Sequence, residues 1–278
     1  MTKSIIHPET KKKVFFGRNK PKVLFPRLSL KNYLSKSLPN PPVLWNYGHL
    51  ASSSLSQMFL NDTEGDCVIA CMGHVSGVMT GNSGAPIFIP TDNQINTLYS
   101  AIGGYDPSQT QPDGTNPTDN GCDIQTALNY WGTKGLLPNQ GAHKIQSYLA
   151  IDPNNVIEIM TALFLFENLI FGLDLPDAWI SPFPSMSGFT WSPSGEPDSS
   201  NGLCIAGFGY NSKGVLISTW AMEGLITYSA IAQYCSAANQ GELYTVISKD
   251  TLIKVTSRAP NGFDWTQLIA DFQAVKAI

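Results

Sequence analysis

Cysteine and histidine carry most of the reactive chemistry available to this 278-residue sequence, with five of the first and four of the second. Cys67 directly follows the turn-forming run Asn61-Asp62-Thr63-Glu64-Gly65-Asp66. It opens residues 67–80, where Cys67, Ala70, Cys71, His74 and Val78 recur at helical spacing. A thiol at the first turn of a helix can be held as a nucleophilic thiolate, because the helix N-terminus favours negative charge. The acids Asp62, Glu64 and Asp66 oppose that effect by repulsion, and their ordinary role at such a place is capping. Neither the five cysteines nor their neighbours fit a disulfide framework or a zinc site: CxxC and paired histidines are both missing. The expectation is buried, reduced thiols. No HExxH, GxSxG or phosphate-binding GxxxxGK is present, and the acidic turn lacks the glycine and terminal glutamate of an EF-hand. Neither a metal nor a cofactor is expected.

These residues need elements to position them. The spacing predicts helices over 67–80, 92–103, 123–132 and 153–166, the last with Asp152 as its N-cap. Residues 43–60 read as a loop followed by a short helix or turn. Strands are predicted over 143–151, 168–175 and 242–248, and residues 203–210 with 215–220 form a hairpin across the Asn211–Gly214 turn. Short terminal helices are expected over 249–254 and 264–275. Helices precede antiparallel strands, which is the pattern of an α+β domain.

Three stretches carry a resemblance: Asn61 through Cys67, Gly202 through Tyr210, and Val215 through Trp220. In order and separation they resemble the papain-like cysteine peptidase superfamily. The segments Gly104-Tyr105-Asp106, Thr118 through Gly121, and Leu128 through Trp131 are also similar to little-characterised bacterial and phage proteins on that fold. The resemblance implies a helical part packed on an antiparallel sheet, with Cys67 at the nucleophile position. Asn61 stands where the family has its oxyanion glutamine, and Ser218 where it has the residue that orients the imidazole. The base itself would fall at Leu203, which accepts no proton, and residues 144–278 contain no histidine. His74 lies two helical turns beyond Cys67, roughly 10 Å along the axis, and reads as a buried structural residue. His49, His143 and His7 are the remaining substitutes. The reading is a degenerate papain-like protein with a structural or interaction role, in a setting such as a phage virion. The alternative is a working cysteine peptidase or amidase that pairs Cys67 with an unusual base.

Charge adds a second theme. Residues 1–36 carry ten Lys or Arg and one acid, while residues 37–278 carry seven bases and twenty acids. A basic arm, residues 1–42 as far as the prolines that close it, precedes an acidic domain of residues 43–278. Such an arm suits an acidic protein partner, nucleic acid, or its own body. Val14, Phe15, Phe16, Leu24 and Phe25 interleave its charges, which favours protein docking over nucleic acid. No apolar run is long enough to span a membrane, and no secretory signal is read at the N-terminus, so cytoplasmic synthesis is expected.

Overall fold

A computed structural model describes residues 2–22, 28–34, 41–137, 140–248 and four positions between 266 and 271. In chain order the elements are β1 (Ser4–Ile6), β2 (Lys13–Phe15), β3 (Trp45–Asn46), α1 (Ser52–Leu55), α2 (Cys67–Ser83), α3 (Asp92–Gly103), α4 (Ile124–Lys134), β4 (Ile145–Ala150), α5 (Val156–Phe166), β5 (Leu169–Asp174), β6 (Phe189–Trp191), β7 (Gly202–Tyr210), β8 (Gly214–Thr219), β9 (Met222–Thr227), α6 (Tyr228–Tyr234) and β10 (Glu242–Ser248). Short 3-10 turns lie between several of them.

The architecture is α+β. Eight strands form one sheet in the order β4-β10-β5-β7-β8-β9-β6, with β3 pairing β7 beside the main path. Every pairing is antiparallel except β6 with β9. Helix α2 packs against β7 at the centre. All residues from Cys67 to Met79 are buried, so α2 has no solvent face over that span, as expected for a stretch that is apolar or small-residued all round. The hairpin of β7 and β8 forms as its alternation predicts, with Ala206 opposite Ser218 and an irregularity between Gly207 and Gly209.

Two local features differ from the sequence reading. The cap of α5 is Asn155, whose side chain accepts from the Glu158 N–H at 3.1 Å. Asp152 instead accepts from the Asn154 N–H at 2.9 Å, closing a turn one step earlier. The acids before α2 also do not cap it: Asp66 occupies the cap position without a side-chain cap bond. Strand β9 and helix α6 extend the sheet beyond the expected hairpin. The terminal helices expected over 249–254 and 264–275 lie outside the described residues, save for those four positions.

Candidate functional site

The turn before α2 is built by its own backbone. The Leu60 carbonyl accepts from the Thr63 and Glu64 N–H groups at 2.7 and 3.0 Å, and the Asn61 side chain donates to the Glu64 carbonyl at 3.2 Å. The Gly65 N–H donates to both carboxyl oxygens of Asp119, at 3.0 and 3.2 Å. This fixes Cys67 at the helix start, facing β7.

A cavity of about 10 Å3 lies there, lined among others by Asn61, Cys67, Cys71, His74, Cys204 and Ser218. That is space for about one water molecule. Three residues at positions assigned by the resemblance therefore meet: Asn61, Cys67 and Ser218. The fourth does not join them. Leu203 is fully buried, pairs with Leu173 of β5, and is not part of the cavity wall. Side chains alternate along a strand, so the face that carries Ala206 opposite Ser218 carries Cys204. The residue that β7 presents to Cys67 is thus Cys204, one position on, and it too is no imidazole.

The surroundings of Cys67 oppose ionisation. Burial pushes its thiol pKa far above the ordinary value, Cys204 adds to the rise, and Asp66 contributes least. The sulfur engages backbone groups of Cys204 and Gly17. Ser218 donates its hydroxyl to the Leu55 carbonyl at 2.8 Å, so it orients no imidazole. His74 is buried, with Nδ1 at 2.9 Å from the Ser54 carbonyl and its ring 4.9 Å from that of Phe59. Burial lowers its pKa to about 4, which keeps it neutral. His7 Nδ1 accepts from the Glu9 and Thr10 N–H groups at 3.2 and 3.3 Å, within the β1–β2 turn. His143 stacks on Phe88 at 3.9 Å, and His49 is exposed near Glu223. Among the described residues no hydrogen bond joins a histidine to Cys67.

The arm supplies what the sequence reading missed at this site. After the β1–β2 hairpin, residues 15–19 run past the turn before α2, along Cys122 and onto the start of β7. The Phe15 N–H donates to the Asn61 carbonyl at 3.1 Å. Phe16 packs edge-on against Trp220 at 5.6 Å. The Gly17 carbonyl accepts from the Cys122 N–H at 2.9 Å, and the Arg18 N–H donates to the Gly202 carbonyl at 3.1 Å. Glycine is required at position 17: a Cβ there would lie 1.6 Å from the Gly65 carbonyl oxygen. Beyond it, Arg18 is buried, bonded to Asp174 at 3.1 Å, to Glu242 at 3.3 Å and to the Gln240 carbonyl. The only advance signals were the aromatics among the arm's charges and a lone glycine between them.

Beneath this seat sit three carboxyl groups. Glu64, Asp66 and Asp119 are all buried. Burial raises Glu64 to about 7, with Asp119 and Asp92 adding to the rise and the Tyr105 hydroxyl opposing it. Asp66 is raised well above the carboxylate range by burial first and Glu64 second. Asp119 accepts from the Tyr99 hydroxyl at 2.6 Å, and its carbonyl accepts from the Thr2 N–H of the arm. All five cysteines are free and buried. No group of three or more His, Cys, Asp or Glu side chains is placed to hold a metal ion among the described residues, and none of their helices is long and apolar enough to cross a membrane.

Neither a scan of protein-family models nor a search of curated proteins finds a match. Solved structures do match. Xylellain, a cysteine protease from Xylella fastidiosa, superposes with a TM-score of 0.57 at 13% identity, over 84% of this chain and 96% of its own. Digestive procathepsin L 3 of the Tenebrio molitor larval midgut gives 0.51 at 11% identity, over 83% of this chain and 76% of its own.

Proposed function

We propose that this chain, which has the papain-like cysteine protease fold, is a non-catalytic version of it that serves as a structural or interaction component. One observation carries the reading. The thiol at the nucleophile position is buried, burial pushes its pKa up, and its hydrogen-bonding neighbours are backbone groups of Cys204 and Gly17 rather than a histidine. Attack by cysteine needs a thiolate and a proton acceptor within hydrogen-bond reach. Backbone of the same chain lies beside this thiol, with the Gly17 carbonyl bonded to Cys122 and the Arg18 N–H to Gly202.

With residues 14–18 committed to the body, the β1–β2 turn and the start of β2 are a described part of the arm that another molecule could take. Lys11, Lys12 and Lys13 are exposed there, and Lys12 reaches only Asp62, at 3.3 Å. An acidic protein surface is the partner this charge fits, and the resemblance of the central segments suggests a phage particle as its setting. The test is the alkylation rate of each cysteine by iodoacetamide between pH 5 and 9, read by mass spectrometry. The reading expects Cys67 to react as slowly as the other four. Fast reaction at Cys67, with an apparent pKa below the free-thiol value of about 8.5, would replace it with an active peptidase or amidase.

A further inference from the structure

We infer that Cys71 and Cys204 form an oxidisable pair, a disulfide site that would staple α2 to β7. Helix α2 packs directly on β7, and Cys71 is the thiol of that helix whose side chain acts on Cys204. Both line the small cavity beneath the arm. The other cysteines at this interface are less well placed. Cys67 and Cys71 are four residues apart on one helix, where Cβ atoms stand about 5–6 Å from each other. A disulfide needs about 3.5–4.5 Å. Cys67 turns its sulfur to backbone groups of Gly17 and Cys204 rather than to a thiol. Cys122, on the far wall, is felt by Cys67 and Cys204 only through space. The Cys71–Cys204 contact instead comes from two elements that pack directly, and helix α2 offers little freedom to exchange one partner for another.

The oxidant taken is hydrogen peroxide, a small two-electron oxidant that needs no carrier protein at a buried thiol. One thiol gives up its proton and attacks a peroxide oxygen; the O–O bond breaks, leaving a sulfenic acid and one water. The second thiol attacks that sulfur, forming the S–S bond and releasing the second water. Two thiols are oxidised and one hydrogen peroxide is reduced, with all atoms accounted for. Burial holds Cys204 protonated, so the first step is slow, and the finished bond is shielded from external thiols by the same burial.

The test uses the full chain and hydrogen peroxide. After oxidation, remaining thiols are blocked in denaturant and the chain is digested without reductant. The expected result is a fall in titratable thiols from five to three. It comes with a linked peptide pair containing Cys204 and a rise in the urea midpoint that dithiothreitol reverses. No Lys or Arg lies between Lys36 and Lys134, so tryptic peptides do not separate Cys67, Cys71 and Cys122. Variants do: the link should persist in C67S and in C122S and vanish in C71S. Five thiols remaining after prolonged exposure, a link that survives in C71S, or conversion to sulfinic acid without a crosslink would each overturn the inference. None of these outcomes bears on whether the chain is catalytic.

Discussion

Replacing Glu64 by glutamine removes the charge buried under the arm, together with its repulsion of Asp66. The carboxyl has an ordinary pKa near 4.5 and sits at about 7 in the folded chain, chiefly because it is out of water. As pH rises past 4.5 the unfolded chain releases this proton while the folded chain keeps it until about 7. Folding stability therefore falls across that window and is flat above it. At 1.36 kcal/mol for each tenfold gap in acidity, the loss is about 3 kcal/mol. The parent's own profile hides part of this. His74, lowered to about 4, makes stability fall in the opposite direction, as pH drops from about 6.5 toward 4. The difference between parent and E64Q removes that contribution, since His74 is common to both. Glutamine is nearly isosteric and can still accept from Tyr105. Urea titrations followed by tryptophan fluorescence at pH 4.5, 6 and 8 should show the variant near the parent at the lowest pH. At pH 8 it should be more stable by as much as about 3 kcal/mol. An equal difference at all three pH values would refute the argument, because the effect of the substitution would then not be one of charge.

Three further outcomes follow from the seat of the arm. Gly17→Ala puts a Cβ 1.6 Å from the Gly65 carbonyl oxygen. Overpacking of about 1–3 kcal/mol corresponds to a roughly 5- to 150-fold rise in the unseated population. It should appear as faster alkylation of Cys67 and easier proteolysis within residues 1–22, and unchanged rates would contradict the path described. Arg18→Ala leaves Asp174 and Glu242 buried without their cation, which should cost about 3–5 kcal/mol in a urea titration; a cost below about 1 kcal/mol would mean the pair is solvated. Ser218→Ala leaves the Leu55 carbonyl without its donor, for a loss of about 1–3 kcal/mol. The pH profile of Cys67 alkylation should not move, whereas a shift would restore an orienting role to Ser218.

How far the sequence was legible depended on what kind of contact decides each position. The start of α2 was readable because the Asn61–Asp66 run is turn chemistry and a helical period begins at Cys67. The β7–β8 hairpin was readable from its alternation and its Asn211–Gly214 turn. The meeting of Asn61, Cys67 and Ser218 follows from these two elements and the resemblance together. The residue facing Cys67 from β7 was not readable to within one position, because one step along a strand reverses the face, and Leu203 and Cys204 suit a buried strand equally. The path of residues 15–19 was invisible for another reason. It is set by backbone hydrogen bonds and by glycine approaching glycine at positions 17 and 65, which leave no pattern of side-chain types. The carboxyl groups of Glu64 and Asp66 misled, since an acid before a helix suggests a solvated cap and here both are buried.

The partners of Arg18 impose an order on how this chain can assemble. Asp174, Gln240 and Glu242 lie 156, 222 and 224 residues downstream of it, and β10, which holds Glu242, is inserted between β4 and β5. Such separations are the non-local kind that slow folding. At synthesis rates of about 5–20 residues per second, the N-terminal segment leaves the ribosome ten seconds or more before its anchor exists. For most of that interval Phe16 lacks Trp220 and Arg18 lacks its carboxylates, and both are open to chaperones. Seating of residues 15–19 is accordingly a closing event of folding, and a nascent chain stalled before Glu242 should still have its first twenty residues cleavable by protease.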